Sequence, residues 1–481
     1  MLRSNCENRG KCSWGREIMR KYDMLKDSPG KSLFFFALPM IMGNLFQQFY
    51  NMVDSMIVGQ CVGEAALAAV GASYSLTTVF IMIAIGGGIG ASVITSQYLG
   101  AGEYGRMRTS VYTALLSFAV VSVVLGIFGF GMCRQILTAL NTPPNILADA
   151  VLYLRIYFVG LPFLFMYNVL SAVFNALGDS KTPLYLLIFS SILNVFLDLL
   201  TVLAFHMGVA GVAIATVIAQ GLSAVISFLL LMKKLGRFEE IKSEEIREQN
   251  GEKERKILYS PEMLGSMVKI AVPSMLQQSI VSVGMLLVQS VVNGFGSSVL
   301  AGYTSGMRIE SICIVPMIAT GNAMSTFTAQ NLGAGNPERV KKGYKTAYAI
   351  VFGFALLILT VLSLFHTRII AVFIEEGKAF ATGDTYLTFI RFFFVLIGIK
   401  AITDGVLKGA GDVGVFTLAN LVNLGIRVFV SFRFAESWGV EAVWYAVPMG
   451  WAINYIISFL WLLTGRWSRK RIIRHGQNDE T

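Results

Sequence analysis

The string Gln97-Tyr98-Leu99-Gly100-Ala101-Gly102 returns 233 residues later as Gln330-Asn331-Leu332-Gly333-Ala334-Gly335. The same offset pairs Leu67-Ala68 with Leu300-Ala301, Arg106 with Arg339, Tyr153-Leu154 with Tyr386-Leu387 and Gly178-Asp179 with Gly411-Asp412. At an offset of 234, Ala37-Leu38-Pro39 meets Ala271-Val272-Pro273. Chance rarely holds one offset through so many turn motifs, so the chain is a tandem duplication.

What is duplicated follows from composition. Only 14% of the 481 residues are charged and 55% are hydrophobic, and the mean hydropathy is +0.64. A soluble chain carries about 25% charge. Residues 65–102, 109–133, 156–178, 270–307 and 442–465 contain no Asp, Glu, Lys or Arg. Each exceeds the ~20 residues that cross a bilayer as a helix. The chain reads as an all-α polytopic membrane protein. Its net charge of +10 does not point to nucleic acid, because the basic residues sit between apolar runs rather than in one patch. The five cysteines, Cys6, Cys12, Cys61, Cys133 and Cys313, have neither disulfide-framework nor metal spacing. Residues 1–31 hold eight Lys/Arg and no apolar core, so no cleavable signal is expected.

Breaks between apolar runs give twelve spans, at 33–60, 66–99, 110–131, 148–175, 183–204, 209–232, 266–294, 299–331, 344–365, 386–408, 414–432 and 441–464. The second is expected to be one long helix with a break at Gly86-Gly87-Gly88. The N-terminal tail, the 233–269 stretch, the Arg339–Lys345 loop and the tail after Arg466 are rich in Lys and Arg. By the positive-inside rule both termini face the cytoplasm, and an even number of spans satisfies that. The expected organisation is a tail (1–31), a first lobe (32–232), a linker (233–265), a second lobe (266–465) and a tail (466–481). Six spans per half make the lobes pseudo-symmetric about an axis along the membrane normal, as in many secondary transporters.

Ionisable residues inside spans are costly, roughly 2.5–3.5 kcal/mol on the lenient insertion scale, and are functional candidates by default. The first half has essentially Asp54 and Asp198. Arg308, Glu310, Lys400, Asp404 and Arg427 lie in or near spans of the second; the sequence does not fix their role, and Arg308, Glu310 and Arg427 read as pairing within the lobe rather than binding substrate. Asp54 shares a helical stripe with Gln47, Tyr50 and Asn51, and Asn194 shares a face with Asp198 one turn on. Thr216 sits in a small-residue helix. The repeat places Val288, Arg427, Ser431 and Val447 opposite Asp54, Asn194, Asp198 and Thr216, so this cluster belongs to the first lobe. Each residue has a plainer reading. Asp198 could merely bond Asn194 or a broken backbone, Asp54 could be solvated, and Thr216 could bond its own i−4 carbonyl. Gly178-Asp179 and Gly411-Asp412 read as helix C-caps with turn residues, and His206 and His366 as interfacial.

The duplicated Gln-x-x-Gly-Ala-Gly and the first-span string from Leu38-Pro39 through Gln47-Gln48-Phe49-Tyr50-Asn51-Met52-Val53-Asp54 resemble the multidrug and toxic compound extrusion (MATE) family. Val58-Gly59 and Ala65–Gly71 follow in the family's order, and the likeness covers roughly residues 30–465. It implies twelve helices in two six-helix lobes around a central cavity, and cation-coupled export of diverse, often cationic, organic compounds. It also implies a cation site at Asp54, Asn194, Asp198 and Thr216, able to take a proton or Na+. Tyr50 and Tyr153 match neighbouring family tyrosines, with Gln47 and Asn51 as further cavity candidates, and Pro39 matches the bend proline of the first span. The acids that a NorM-like branch carries in its second lobe correspond here to Val281 and Ile397, which places the chain nearer the DinF-like branch. No cofactor beyond the coupling ion is implied. A monomer in a bacterial or archaeal inner membrane is expected. The nearest rival is a lipid-linked oligosaccharide flippase, which would want basic residues that the first-lobe spans lack. An enzyme would need convergent His, Asp or Cys groups at one depth, and the three histidines are far apart.

Overall fold

A computed structural model describes residues 23–140, 142–248, 257–374 and 377–468. Cys6 and Cys12 with the rest of 1–22, residues 249–256 of the expected linker, and the tail beyond 468 lie outside the described residues. Among the described residues there are fourteen α-helices and no strand. The first lobe holds α1 (Pro29–Ile57), α2 (Glu64–Gly100), α3 (Tyr104–Ala139), α4 (Pro144–Ala176), α5 (Lys181–Leu199) and α6 (Gly208–Glu248). The second holds α7 (Pro261–Asn293), α8 (Ser297–Cys313), α9 (Val315–Gly333), α10 (Pro337–Ala371), α11 (Lys378–Ile390), α12 (Phe394–Gly409), α13 (Val413–Trp438) and α14 (Glu441–Leu463). Eleven spans are long and apolar enough to cross a membrane, with α11 and α12 counted as one, and the bent pair α8–α9 supplies a twelfth.

Three expectations need correction. The helix α2 runs unbroken through Gly86-Gly87-Gly88. These glycines are contact points rather than breaks: a methyl on Gly86 would stand 2.7 Å from the Met275 backbone of α7, and one on Gly88 would stand 3.2 Å from Ala172 of α4. The eighth span is the one that breaks, by 40° between α8 and α9. Pro316 enters at the start of α9, where its missing N–H costs little, whereas inside a continuous helix it would remove a hydrogen bond. The tenth span begins at Lys378 rather than 386, and passes through a tight 3-10 turn at Arg391–Phe393. In addition, α6 continues to Glu248, well into the stretch read as linker.

The duplication is visible in the packing. In the first lobe α1 lies against α5, α2 against α4, and α3 against α4; in the second α7 lies against α13, α9 against α12, and α10 against α12. Across the lobes α2 meets α7, α1 meets α9, and α2 meets α9 at the pseudo-two-fold axis. There the repeated motif locks onto itself. Gln97 Nε2 donates to the Gly409 carbonyl at 3.3 Å, and Gln330 Nε2 donates to the Ala176 carbonyl at 2.8 Å. The acceptors are themselves 233 residues apart, so the two bonds are images of one another. Gly100 and Gly333 let the crossing happen, since a methyl on either would overlap the Gln330 or Gln97 carbonyl of the opposite helix. The turns that follow need Gly102 and Gly335, at φ of 75° and 73°, a region that side chains disfavour.

Large apolar side chains stay exposed along the outer helices, among them Val120, Ile127 and Phe128 on α3 and Leu357 and Leu364 on α10. Water would penalise such a surface, while lipid solvates it.

Candidate functional site

Two of the acid-bearing first-lobe helices end alike. Just after Asp54 α1 widens into a π-helical turn, Val58–Val62, and just after Asp198 α5 does the same over Leu200–Ala204. The two turns touch, and they brace the upper ends of α1 and α5 through Val58, Val202, Val209 and Val212. Single π turns of this kind often accompany functional sites. Their counterparts in the second lobe, the ends of α7 and α13, are ordinary helix.

Below these turns the cluster assembles. Asp198 is fully buried, Asn194 is 2% exposed, and Asp54 is half-buried at the rim. Tyr50 Oη donates to Asn194 Oδ1 at 2.5 Å, and Asn194 Nδ2 reaches Thr216 Oγ1 at 3.3 Å. Turned over, the Asn194 amide donates to Asp198 Oδ2 at 3.0 Å and accepts the Thr216 backbone N–H at 3.2 Å. The choice rests on the network, as for any amide, and only the turned amide offers Asp198 a donor. The Asp54 and Asp198 carboxyls lie within hydrogen-bonding reach of each other, and Tyr153, packed against the cluster of Val58 and Val202, is near enough to interact electrostatically with both. One oxygen of each carboxyl, Asp54 Oδ1 and Asp198 Oδ1, is buried without a partner.

Asp54, Asn194, Asp198, Thr216, Tyr50 and Tyr153 are therefore brought together, from four separate helices. Thr216 also satisfies its plainer reading, since its hydroxyl donates to the Val212 carbonyl one turn back at 3.0 Å. Gln47 and Asn51, although on the same stripe as Asp54, are exposed and make no side-chain bond to the cluster among the described residues. Pro39 is buried within a continuous α1, where it removes one rung of the helix ladder. The reading of residues missed Tyr157, one turn beyond Tyr153 on α4, whose hydroxyl is buried without a partner. The i, i+4 spacing of the two tyrosines was the available signal.

Two adjacent carboxylates repel unless a proton or a metal cation stands between them. The surrounding groups are an amide and hydroxyls, so every ligand on offer is oxygen or an N–H. That set suits a hard cation or a shared proton.

Known proteins resemble this chain throughout its length. The MatE family model matches residues 39–200 and again 273–432, more than half of the chain and once per lobe. The chain belongs to the MATE family. The probable multidrug resistance protein YpnP of Bacillus subtilis is 29% identical over 94% of this chain and 99% of its own length. The probable multidrug resistance protein YoeA of the same organism is 27% identical over 93% and 96%. A solved outward-facing multidrug resistance MATE transporter superposes with a TM-score of 0.83 at 23% identity, covering 93% of this chain and 98% of that one. The chain is thus a multi-pass membrane transporter of small molecules, not an enzyme.

The second lobe of this MATE chain is not bare of charge at the mirrored depth. Glu310 of α8 is 8% exposed and accepts a hydrogen bond from Tyr386 of α11, the residue that the repeat pairs with Tyr153. Val288, opposite Asp54, is buried and apolar. Nearer the Gln-x-x-Gly end, Lys400 pairs with Asp404 at 2.9 Å, and Asn420 and Ser458 bond the same carboxylate at 3.3 and 3.4 Å. Asp179 and Asp412 are turn residues, as expected. Asp179 bonds Thr182 at the start of α5 and pairs with Lys234 at 2.6 Å, and Asp412 accepts from the Trp461 indole at 2.6 Å.

Proposed function

We propose that the chain is an antiporter that exports organic, often cationic, compounds in exchange for H+ or Na+, nearer the DinF-like branch of its family. One observation carries the reading. Asp54 and Asp198 lie side by side within the apolar spans among Tyr50, Asn194, Tyr153 and Thr216, and among the described residues no basic side chain bonds either of them. A carboxyl pair with no fixed counter-ion is a site that a mobile cation can fill and leave.

Asp54, Asn194, Asp198 and Thr216 would hold the ion, a proton on the carboxyl pair or Na+ among the four. An entering cation moving down a membrane potential releases roughly 2.3 kcal/mol per 100 mV, enough for a modest gradient of exported compound. Filling the pair removes the repulsion between α1 and α5, and Pro39 is the place where α1 bends as they close. Rocking of the lobes about the α2–α9 contact would then exchange access. The Lys/Arg-rich loops put both termini in the cytoplasm of an inner (plasma) membrane. In that orientation the locked Gln97/Gln330 end is the cytoplasmic one and the cleft opens outward. The working unit is a monomer of two lobes, 32–232 and 266–465, joined by 233–265.

Dye efflux from everted vesicles, driven separately by a pH gradient and by a Na+ gradient, tests the coupling. Only the physiological ion should drive wild-type transport. Asp54→Asn and Asp198→Asn should each abolish it while inserting normally. Full efflux by either variant would overturn the assignment.

A further inference from the structure

The two faces of the cleft differ in sign. Past Lys31 on α1, past Lys269 on α7 and throughout α8, the only charged residues are Asp54, Arg308 and Glu310. Asp54 is engaged with Asp198, and Glu310 points away into the lobe, buried against Tyr386. Arg308 is exposed and makes no ion pair, side-chain hydrogen bond or ring contact among the described residues. Arginines within membrane-spanning helices commonly mark substrate or ion pathways.

The surroundings of Arg308 form a receptacle. A cavity of about 270 Å3 between α7 and α8 is lined by Met285, Gln289, Thr304, Met307, Arg308 and Ser311. Tyr303, which also lines it, forms its floor, held edge-on to Tyr386 at 5.6 Å. The face belongs to the cleft between the lobes, since Gln48 of α1 donates to Ser311 Oγ at 3.4 Å across it. The lining combines one cation, neutral hydrogen-bonding groups and two methionines. Thioether side chains adapt to varied flat apolar shapes, and a guanidinium fork matches a carboxylate or a phosphate. The volume holds one end of a drug-sized compound rather than the whole of it.

We propose that this cavity is a substrate subsite that takes the acidic end of an aromatic amphiphile, with Arg308 bonding its carboxylate. The inference rests on the export reading above and narrows its substrate class. The acidic first lobe and the basic second lobe together favour zwitterionic compounds, oriented with the anion toward α8. Arg308 is the specificity-determining residue, and Gln289 and Ser311 supply further hydrogen bonds.

Rhodamine 110 and rhodamine 123 are the test pair, one the free acid and the other its methyl ester. Wild-type vesicles should export both. Arg308→Gln should raise the KM for rhodamine 110 by about tenfold and leave rhodamine 123 within twofold, while Arg308→Lys should retain part of the preference. Equal loss on both dyes, or no change for the acid, would overturn the subsite while leaving export itself intact. If wild type moves neither dye, the export reading fails, and anisotropy of each dye on the purified protein then decides the cavity. Tighter binding of the acid that vanishes in Arg308→Gln supports the site, and equal binding refutes it. Should Arg308→Gln not accumulate, Arg308→Lys and Gln289→Leu carry the same comparison.

Discussion

Buried acids in this chain are treated in two opposite ways. Asp54 and Asp198 face each other with free oxygen lone pairs, whereas Glu310 is capped by the Tyr386 hydroxyl. The first arrangement leaves buried acceptor oxygens without a partner among the described residues; in the second a hydroxyl already donates to the acid. Tyr386→Phe should therefore destabilise the second lobe by about 1–3 kcal/mol, because it strips a buried acid of its donor. Reversible unfolding in mixed micelles would measure this, and Glu310→Gln in the same background should recover most of the loss. The turn acid Asp179 makes a separate case. Burial by itself would raise its pKa, but Lys234 together with the Thr182 amide and hydroxyl outweigh that and hold the carboxyl below its usual value of 3.8. The fold thus favours the charged form. Its contribution is complete above the unfolded value of about 3.9 and is lost as pH falls through the lower folded value. Asp179→Asn should melt earlier than wild type near neutrality, and the gap should close below about pH 4.

At the scale of elements, glycine does different work in different helices. Gly353 in the middle of α10 has open space around it, and Gly100 at the end of α2 touches the Gln330 backbone. Alanine at 353 should leave stability unchanged or raise it by up to about 1 kcal/mol, from helix propensity alone. Alanine at 100 should force α2 and α9 apart and lower the melting temperature by several degrees. Thermal unfolding of the two variants side by side checks the contrast; equal effects would show that the α2–α9 crossing is not tight. The same contrast explains the misread break in α2. A run of three glycines looks like a hinge in a sequence, and whether it bends depends on which neighbour presses into it. Met275, Phe118 and Ala172 press here, from three other helices that no local pattern could name.

For the molecule as a whole, the reciprocal Gln97–Gly409 and Gln330–Ala176 bonds hold one end of the lobe interface shut. Each is a buried hydrogen bond worth about 1 kcal/mol net. Removing both shifts a two-state equilibrium by roughly 2 kcal/mol, or about thirtyfold. Gln97→Leu with Gln330→Leu should populate the state open at this end. A cysteine placed at Ala329, now 1% exposed, should then react with a maleimide much faster than in the parent. Unchanged labelling would mean that the interface is held elsewhere, for example by Gly86 and Gly90 against α7.

Sequence alone determined the twelve spans, the duplication and the candidate acids, because each depends on properties local to a residue or repeated at a fixed offset. An uncharged run longer than a bilayer, a motif that recurs at 233, and an aspartate inside apolar sequence need no neighbours to be read. Tertiary structure decided which of those polar groups meet. Gln47 and Asn51 share a stripe with Asp54, yet both stay exposed while Tyr50 bonds Asn194 of α5 and Asp54 meets Asp198. Glu310 and Tyr386 are 76 residues apart in sequence, and only the packing of α8 on α11 joins them. Arg308 has no counter-ion among the described residues for the same reason: where a charge finds its partner is settled by which helices touch, and contacts between helices far apart in the chain leave no periodic trace in it.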